Sequence, residues 1–467
     1  MQRAPHVLLF ICDQLQYQRL GFAGRLNPSA PSGRTPQLDQ LAEEGIFYTH
    51  VHSSNGQCVP SRASMQTGLY PHEAGVMIIY GFHGHSAHLT ADQRTVGNVL
   101  RDAGYTTAYF GKAHFGIPLA DLGYDHGHDG RQGERAPRRN SATDRAIVDD
   151  ALAFLRAHDP ERPLFLTVSI HQPHPPFELV ERFAGRFPPE TLLLPPSFRS
   201  DDLSTKPAFH QQHATDGRHG YPTAGLEDEA RLRVELQRYL TMTANVDALF
   251  GEVRRGFEEK GMWGGTAALF TSDHGDMMGA HRMRLKGTIP YDEIFRIPFI
   301  LKLPDGSPEP ERRVVSDLGC NVAQPGTLVE AAGLPIPSDF TGGSLLPAAY
   351  RAAPPEREEV FFEHYGAYWG LHPFRAVRVR DPERGEWKLA KYYGPDEGEA
   401  ELYDLGADPH ENTNRARDPE LAVWRGELER RVDDWWERTG GRGFAYYESR
   451  EFKASGEATL TDRRGGD

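Results

Sequence analysis

The sequence predicts an α/β protein: a large, doubly wound, mostly parallel sheet followed by a smaller C-terminal antiparallel sheet with a helix. Three observations predict it. Apolar runs of strand length alternate with segments of helical spacing through the first part of the chain. The first run, Val7–Cys12, is apolar without alternation, as a strand buried on both faces must be. After Pro355 the pattern changes to short, charged strands.

The first strand ends at Asp13, where the carboxyl edge of a parallel sheet delivers a polar side chain into a crevice. Thr35-Pro36 opens a helix over Gln37–Glu44, with proline suited to the first turn and Gly45 as the stop, and Ile46–Val51 returns as a strand. Ala63–Thr67 reads as a short helix closed by Gly68. Helix, stop and strand then recur in Thr95–Ala103 with Gly104 before Thr106–Phe110, in Asp144–His158 before Leu164–Ile170, and in Glu229–Lys260 before Ala267–Thr271. Two stretches break the rhythm: Leu119–Arg139, rich in Gly, His, Asp and Arg, and Pro195–Pro222, rich in Pro, Ser and His. Both are expected to be long loops over a site. Beyond Pro355 come short, charged strands at Phe374–Val379 and Trp387–Tyr393, then the Leu402–Leu405 region and an amphipathic helix near Pro419–Arg438. The expected division is a catalytic unit over 1–360 and a smaller α+β unit over 361–467, with the polar tail Glu457–Asp467 mobile.

Composition narrows the function class. Hydrophobic content of 38% and charged content of 25% exclude a disordered or fibrous chain. Lys and Arg number 52 against 66 Asp and Glu, a net charge of −14, which argues against a nucleic-acid partner or an anionic membrane surface. Any anion the protein binds must be held by a local cationic pocket. Val7–Cys12 is shorter than a secretory h-region and far too short to span a bilayer, so the expected location is cytoplasmic. The 3 cysteines, Cys12, Cys58 and Cys320, are an odd number and do not suggest a disulfide framework.

The sharpest string is Cys58-Val59-Pro60-Ser61-Arg62, followed by Ala63-Ser64-Met65-Gln66-Thr67-Gly68. A cysteine just before a helix lies where unpaired amides and the helix dipole stabilise an anion, with Arg62 one turn away. An isolated cysteine there is more often a small buried apolar residue. Asp13-Gln14 ends the first strand, and Ser272-Asp273-His274-Gly275-Asp276 follows the strand Ala267–Thr271, so both groups converge at one sheet edge. An aspartate after a strand is commonly a cap or turn residue. Two of them flanking a candidate nucleophile form instead a divalent-metal donor set of carboxylates, an amide and an imidazole. Gly111-Lys112-Ala113-His114 places an ammonium and an imidazole after another strand, and His171-Gln172-Pro173-His174-Pro175-Pro176-Phe177 follows a third.

These strings together resemble the sulfatase family, whose landmarks C-x-P-S-R, G-K-x-H and P-H-x-P-F follow here in the family's order up to Glu401-Leu402-Tyr403-Asp404-Leu405. The resemblance implies an alkaline-phosphatase-like fold and a sulfuric ester hydrolase whose Cys58 is oxidised to formylglycine. It also implies one divalent ion held by Asp13, Gln14, Asp273 and His274 with the modified Cys58. Calcium is the family's usual ion. Gln14 and His274 stand where many relatives carry Asp and Asn, which lowers the charge, adds a nitrogen donor and brings in manganese or magnesium as alternatives. By the same resemblance, a hydrated formylglycine oxygen attacks sulfur, His174 or Lys286 protonates the departing oxygen, and His114 takes the proton that regenerates the aldehyde. Arg62 orients the centre, and Lys112 and Lys286 hold sulfate oxygens. His171 is the weaker imidazole, and His281 is either a substrate contact or a loop residue.

The implied partners are a small alkyl, aryl or sugar sulfate and a formylglycine-generating enzyme; oligomeric state is not readable. A phosphonate monoester or phosphodiester hydrolase with the same modified cysteine is the rival reading, disfavoured by the intact Lys112 and His114. The patch His364-Tyr365-Gly366-Ala367-Tyr368-Trp369 with His372 reads equally as a rim of the leaving-group pocket or as packing between the two units.

Overall fold

The protein is described by a computed structural model over residues 4–26, 33–130, 140–355, 358–367 and 370–455. Its large sheet is built from β1 (His6–Asp13), β2 (Ile46–His52), β3 (Thr106–Gly111), β4 (His126–Asp129), β5 (Leu164–Pro173), β6 (Thr266–Ser272), β7 (Arg296–Lys302) and β8 (Val314–Cys320). The strands lie in the order β4-β3-β5-β1-β6-β7-β2-β8. Every neighbouring pair is parallel except those made by β7, which runs antiparallel to β6 and β2. The smaller sheet, β9 (Glu358–His364), β10 (Phe374–Asp381), β11 (Gly385–Tyr392) and β12 (Ala400–Asp404), is antiparallel throughout.

The unbroken apolar run of β1 is explained by its two buried faces. Leu8, Phe10 and Cys12 join the core beneath the helices Pro36–Glu44, Asn140–Ala157 and Leu226–Glu259. Val7, Leu9 and Ile11 join the opposite core beneath Cys58–Thr67, Val96–Asp102 and Gln324–Ala331. Each residue alternates face with a period of two, so a strand covered on both sides has no position left for a polar residue until it ends.

The sequence reading holds for the doubly wound core and for most of its helices, with several differences. The helix expected at Ala63–Thr67 starts earlier, at Cys58, so Cys58 is its first residue rather than the one before it. Pro195–Pro222 is not a plain loop, because it holds the short helices Ser197–Ser200 and Ala208–Thr215. Leu119–Arg139 contains a 3-10 turn at Leu119–Leu122 and the short strand β4, and residues 131–139 lie outside the described residues. The tail expected to be mobile, 457–467, also lies outside them.

β7 was hidden by Pro298 in its interior, a residue that argues against a central strand. The structure accommodates it with a register shift in β2 between Tyr48 and Val51, opposite Pro298, so the missing N–H falls where the ladder is already irregular. Of the aromatic patch, Tyr365 is interior and stacks on Phe444 at 5.9 Å, which is packing of the small unit; Tyr368 and Trp369 lie outside the described residues. The helix Ala422–Arg438 covers the small sheet with Trp424, Leu428, Val432, Trp435 and Trp436, a spacing that puts all five on one face. The two sheets are tied by Arg378 and Lys388, whose side chains bond Asp292 at 2.5 and 3.1 Å. No described helix is long and apolar enough to cross a membrane.

Burial pushes the imidazoles of His52, His213 and His364 down to about 3, with Arg378 adding to the effect at His52. In the unfolded chain the same rings protonate near 6.5. Between those values the unfolded state binds more protons, so stability falls as pH falls. Calorimetry should show Tm declining steadily from pH 6.5 towards 4, and His364→Leu should flatten that slope.

Candidate active site

Four neighbouring strands, β3, β5, β1 and β6, deliver their carboxyl ends to one place, and the site is assembled there. Cys12 pairs with Ser272 at the ends of β1 and β6, so the next residues, Asp13 and Asp273, emerge side by side. β3 ends at Gly111 and hands over Lys112; β5 runs to Pro173 and hands over His174. Gly111 has φ +111, and a Cβ there would lie 1.9 Å from Ser169 O, so only glycine lets β3 close on β5 while turning Lys112 inward. The helix Cys58–Thr67 follows β2 through Ser53–Gln57 and places Cys58 at its amino end, with all ten residues buried and Gly68 closing it at φ +69.

Ligand atoms of Asp13, Cys58, Asp273 and His274 all lie within 4.8 Å of one another, and all four residues are buried. Cys58 Sγ sits 2.8 Å from Lys286 Nζ, 3.3 Å from His274 Nε2 and 3.6 Å from Asp13 Oδ1. Lys286 Nζ also donates to His274 Nε2 at 2.9 Å, while His274 Nδ1 is turned to Gly275 O at 2.9 Å. Lys112 Nζ forms a short ion pair with Asp13 Oδ2. Arg62 Nε donates to Asp273 Oδ2 at 2.7 Å, and its Nη1 donates to Lys112 O at 2.8 Å and Ser169 Oγ at 2.9 Å.

The electrostatics follow from this crowding. Burial and Asp13 push the Cys58 thiol up, but Lys112, Lys286 and His274 outweigh them and hold it well below its ordinary value. Asp13 is likewise held well below the carboxylate range, because Lys112, His174, Lys286 and Arg62 outweigh its burial. Lys286 is raised, since Cys58 and the two carboxylates outweigh its desolvation. His174 is lowered to about 3 by burial and by Lys286 and Lys112, so its ring is neutral, with Nδ1 donating to Pro175 O at 2.7 Å. The other cysteines are inert: Cys12 donates to Thr271 O at 3.3 Å and is raised by burial, and burial pushes Cys320 up to about 12.

The structure brings most of the sequence-predicted site residues to one place, but not all. Asp13, Cys58, Arg62, Lys112, Asp273, His274 and Lys286 touch one another directly. His174 faces the same charges without a bond to them. Gln14 lies beside the cluster, its backbone N–H donating to Asp273 Oδ1 at 3.0 Å and its Nε2 to Asp276 Oδ2 at 2.5 Å; its Oε1 is buried with no hydrogen-bond partner. His114 is buried at φ +63, with its ring edge-on to Tyr80 at 5.5 Å. His171 turns away to Asp144 at 3.1 Å, and His281 bonds Asp201 at 2.6 Å while stacking on Tyr291 at 3.9 Å, so both are structural.

Sequence reasoning missed the supporting layer. Ser61 Oγ donates to Asp273 O at 2.5 Å and accepts from Asn321 Nδ2 at 2.9 Å, and Asn321 Oδ1 receives Ser54 N at 2.8 Å. Ser61 and Asp276 stood within quoted motifs and carried that signal; Ser169 and Asn321 carried none. Two carboxylates, an imidazole and a buried, unpartnered amide oxygen are a donor set that fits a divalent cation. The carboxylate and imidazole draw the ammonium groups of Lys112 and Lys286 onto their donor atoms, which is the same demand for positive charge.

The family described as Sulfatase matches residues 5–334, and that described as N-sulphoglucosamine sulphohydrolase, C-terminal, matches residues 279–438. An ulvan-active sulfatase of Formosa agariphila is 26% identical over 457 residues, covering 92% of this chain and 80% of its own. Among solved structures, BT4656 in complex with its substrate D-glucosamine-2-N,6-O-disulfate superposes with a TM-score of 0.77 at 22% identity, covering 94% of this chain and 98% of that one. The phosphonate monoester hydrolase of Agrobacterium radiobacter does so with 0.74 at 21%, covering 95% and 97%.

Arg62 satisfies three acceptors from a fixed planar fork, and an ammonium can reach only one of them. Arg62→Lys should therefore destabilise the fold by about 1–3 kcal/mol, the scale of buried hydrogen bonds lost while the charge is kept, measured by urea unfolding.

Proposed function

The chain belongs to the sulfatase family and is a sulfuric ester hydrolase, and on that premise we propose that it acts on sulfated sugars through residue 58, converted from cysteine to formylglycine. The observation that carries this reading is the placement of Cys58 Sγ at the amino end of a buried helix, against an ammonium, an imidazole and a carboxylate. The sugar class is supported by the ulvan-active relative and by the disulfated glucosamine held by the similar structure.

Asp13, Gln14, Asp273 and His274, with residue 58, would hold one divalent ion; calcium is the family's usual choice, and manganese suits the imidazole donor. When bound, such an ion supplies Lewis-acid charge beside the nucleophile and the sulfate oxygens. The protein's own groups do the rest. Lys112 and Lys286 bind sulfate oxygens, and Arg62 fixes Asp273, so the charge that develops on the transferring group meets preorganised cations. A neutral His174 with Nδ1 committed to Pro175 O presents only a lone pair at Nε2 and has no proton for the leaving group. Lys286, held protonated, has one. His114 accepts the proton released when sulfate is expelled.

Lys286→Ala should lower kcat/KM by about 10²–10³. The loss should be larger for an alkyl or sugar sulfate than for an aryl sulfate with an acidic phenol, because a good leaving group needs no proton. An equal loss on both would assign the proton to another group. The nucleophile is tested by the mass of the Cys58 peptide from protein made with the formylglycine-generating enzyme. A loss of about 18 Da relative to the thiol supports it, since the covalent route needs the aldehyde, and an unmodified thiol there overturns it. Faster turnover of an aryl phosphonate than of the matched aryl sulfate would overturn the substrate assignment.

A further inference from the structure

Gln14 is held more tightly than a metal ligand alone requires. Its backbone has φ +70. Its N–H donates to Asp273 Oδ1 at 3.0 Å, its carbonyl accepts from Tyr239 OH at 2.6 Å, and the next two N–H groups are taken by Ser272 Oγ at 2.9 Å and Tyr239 OH at 2.9 Å. Those bonds fix where the side chain leaves the backbone. They do not fix which end of its amide faces which neighbour, because the NH₂ and the oxygen are nearly the same size and half a turn about the last torsion exchanges them.

We propose that Asp276 is the positioning residue that makes this choice, turning the Gln14 amide so that its oxygen, not its NH₂, faces the metal centre. This rests on the metal reading above. Asp276 is fully buried. Its Oδ1 is saturated by the N–H groups of Met278 at 2.7 Å and Leu285 at 3.1 Å, which leaves Oδ2 for Gln14 Nε2 at 2.5 Å. Its carbonyl is held in turn by Gln16 Nε2. With two N–H donors on Oδ1 and the Gln14 NH₂ on Oδ2, every side-chain bond of Asp276 is one it accepts, so the NH₂ end faces it. The oxygen is left on the other side, where it is buried and has no hydrogen-bond partner.

The same bond explains why residue 14 is an amide. A carboxylate at that position would oppose Asp276 at hydrogen-bonding distance. The acidic side chain that many relatives carry as a ligand is instead one layer out, at Asp276, bonded to Gln14.

The test is manganese(II) binding to the metal-stripped full chain with Cys58 left as a thiol, so that no activity enters the readout. Asp276→Asn must keep its oxygen on Met278 N and Leu285 N, which puts its NH₂ opposite Gln14 and turns the Gln14 NH₂ towards the centre. Binding should weaken by about 10–100-fold, the usual cost of losing an outer partner of a ligand. Removing a charge would also weaken binding, so the change is repeated in a Gln14→Ala background, where there is no amide to orient. There it should cost only a few-fold.

An equal cost in both backgrounds, or none in the first, overturns the inference. Should Asp276→Asn fail to fold, the pair Gln14→Glu with Asp276→Asn carries the test, since it remakes the bond with donor and acceptor exchanged and returns an oxygen to the centre. That pair should bind within about threefold of the wild type, and a deficit of about tenfold or more overturns the inference. If the wild-type chain binds no divalent ion at all, the metal reading fails first and the inference falls with it.

Discussion

Two carboxylates buried side by side set the terms for everything around them. Asp13 and Asp273 leave the two central strands at the same level, out of water, and unpaired their repulsion and desolvation would cost several kcal/mol each. Three cations answer them. Arg62 takes Asp273, Lys112 takes Asp13, and Lys286 lies against Cys58 and His274. Each comes from a different part of the chain, so the charge balance also fastens the helix Cys58–Thr67, the end of β3 and the loop after β6 to one point.

That fastening gives the site its rigidity and the thiol its character. The Cys58 sulfur has little room to move, because the helix carrying it is buried on every side and Ser61, one turn on, is tied to Asp273 and Asn321. The cations recruited by the carboxylates act on the sulfur as well, which lowers its pKa although burial and Asp13 oppose them. The electrostatics of the nucleophile position are therefore a by-product of stabilising its acidic neighbours. Removing a carboxylate would loosen the cations as surely as removing a cation would expose the carboxylate.

What was legible in the sequence follows from the same physics. The strands around the site are buried on both faces, so they read as plain apolar runs, and each ends where a polar residue has to appear: Asp13 as the last residue of β1, Lys112 after β3, His174 after β5, Asp273 after β6. Motif and strand end coincide at these four positions, so the residues that meet around Cys58 stand out in the sequence. The supporting residues do not. Ser169 is an ordinary polar position near the end of β5, and Asn321 lies far from any motif; their roles exist only once Arg62 and Ser61 reach them. β7 was lost because Pro298 breaks the local rule, and the compensating shift lies in another strand. The environment of His174 was also beyond the sequence, because the shift of its ring comes from burial and from two lysines remote in the chain.

The net charge of −14 poses a last question, since this protein must attract an anion. The resolution is local. Around Cys58, the cations of Arg62, Lys112 and Lys286 gather beside Asp13 and Asp273, and a divalent ion held by the same donors would add to them. These cations lie in a low-dielectric setting, where a charge acts several times more strongly than at the surface. The acidic exterior is screened over about 10 Å at 0.1 M salt and contributes little at that depth. A sulfate monoester therefore meets a repulsive surface at long range and an attractive pocket at short range.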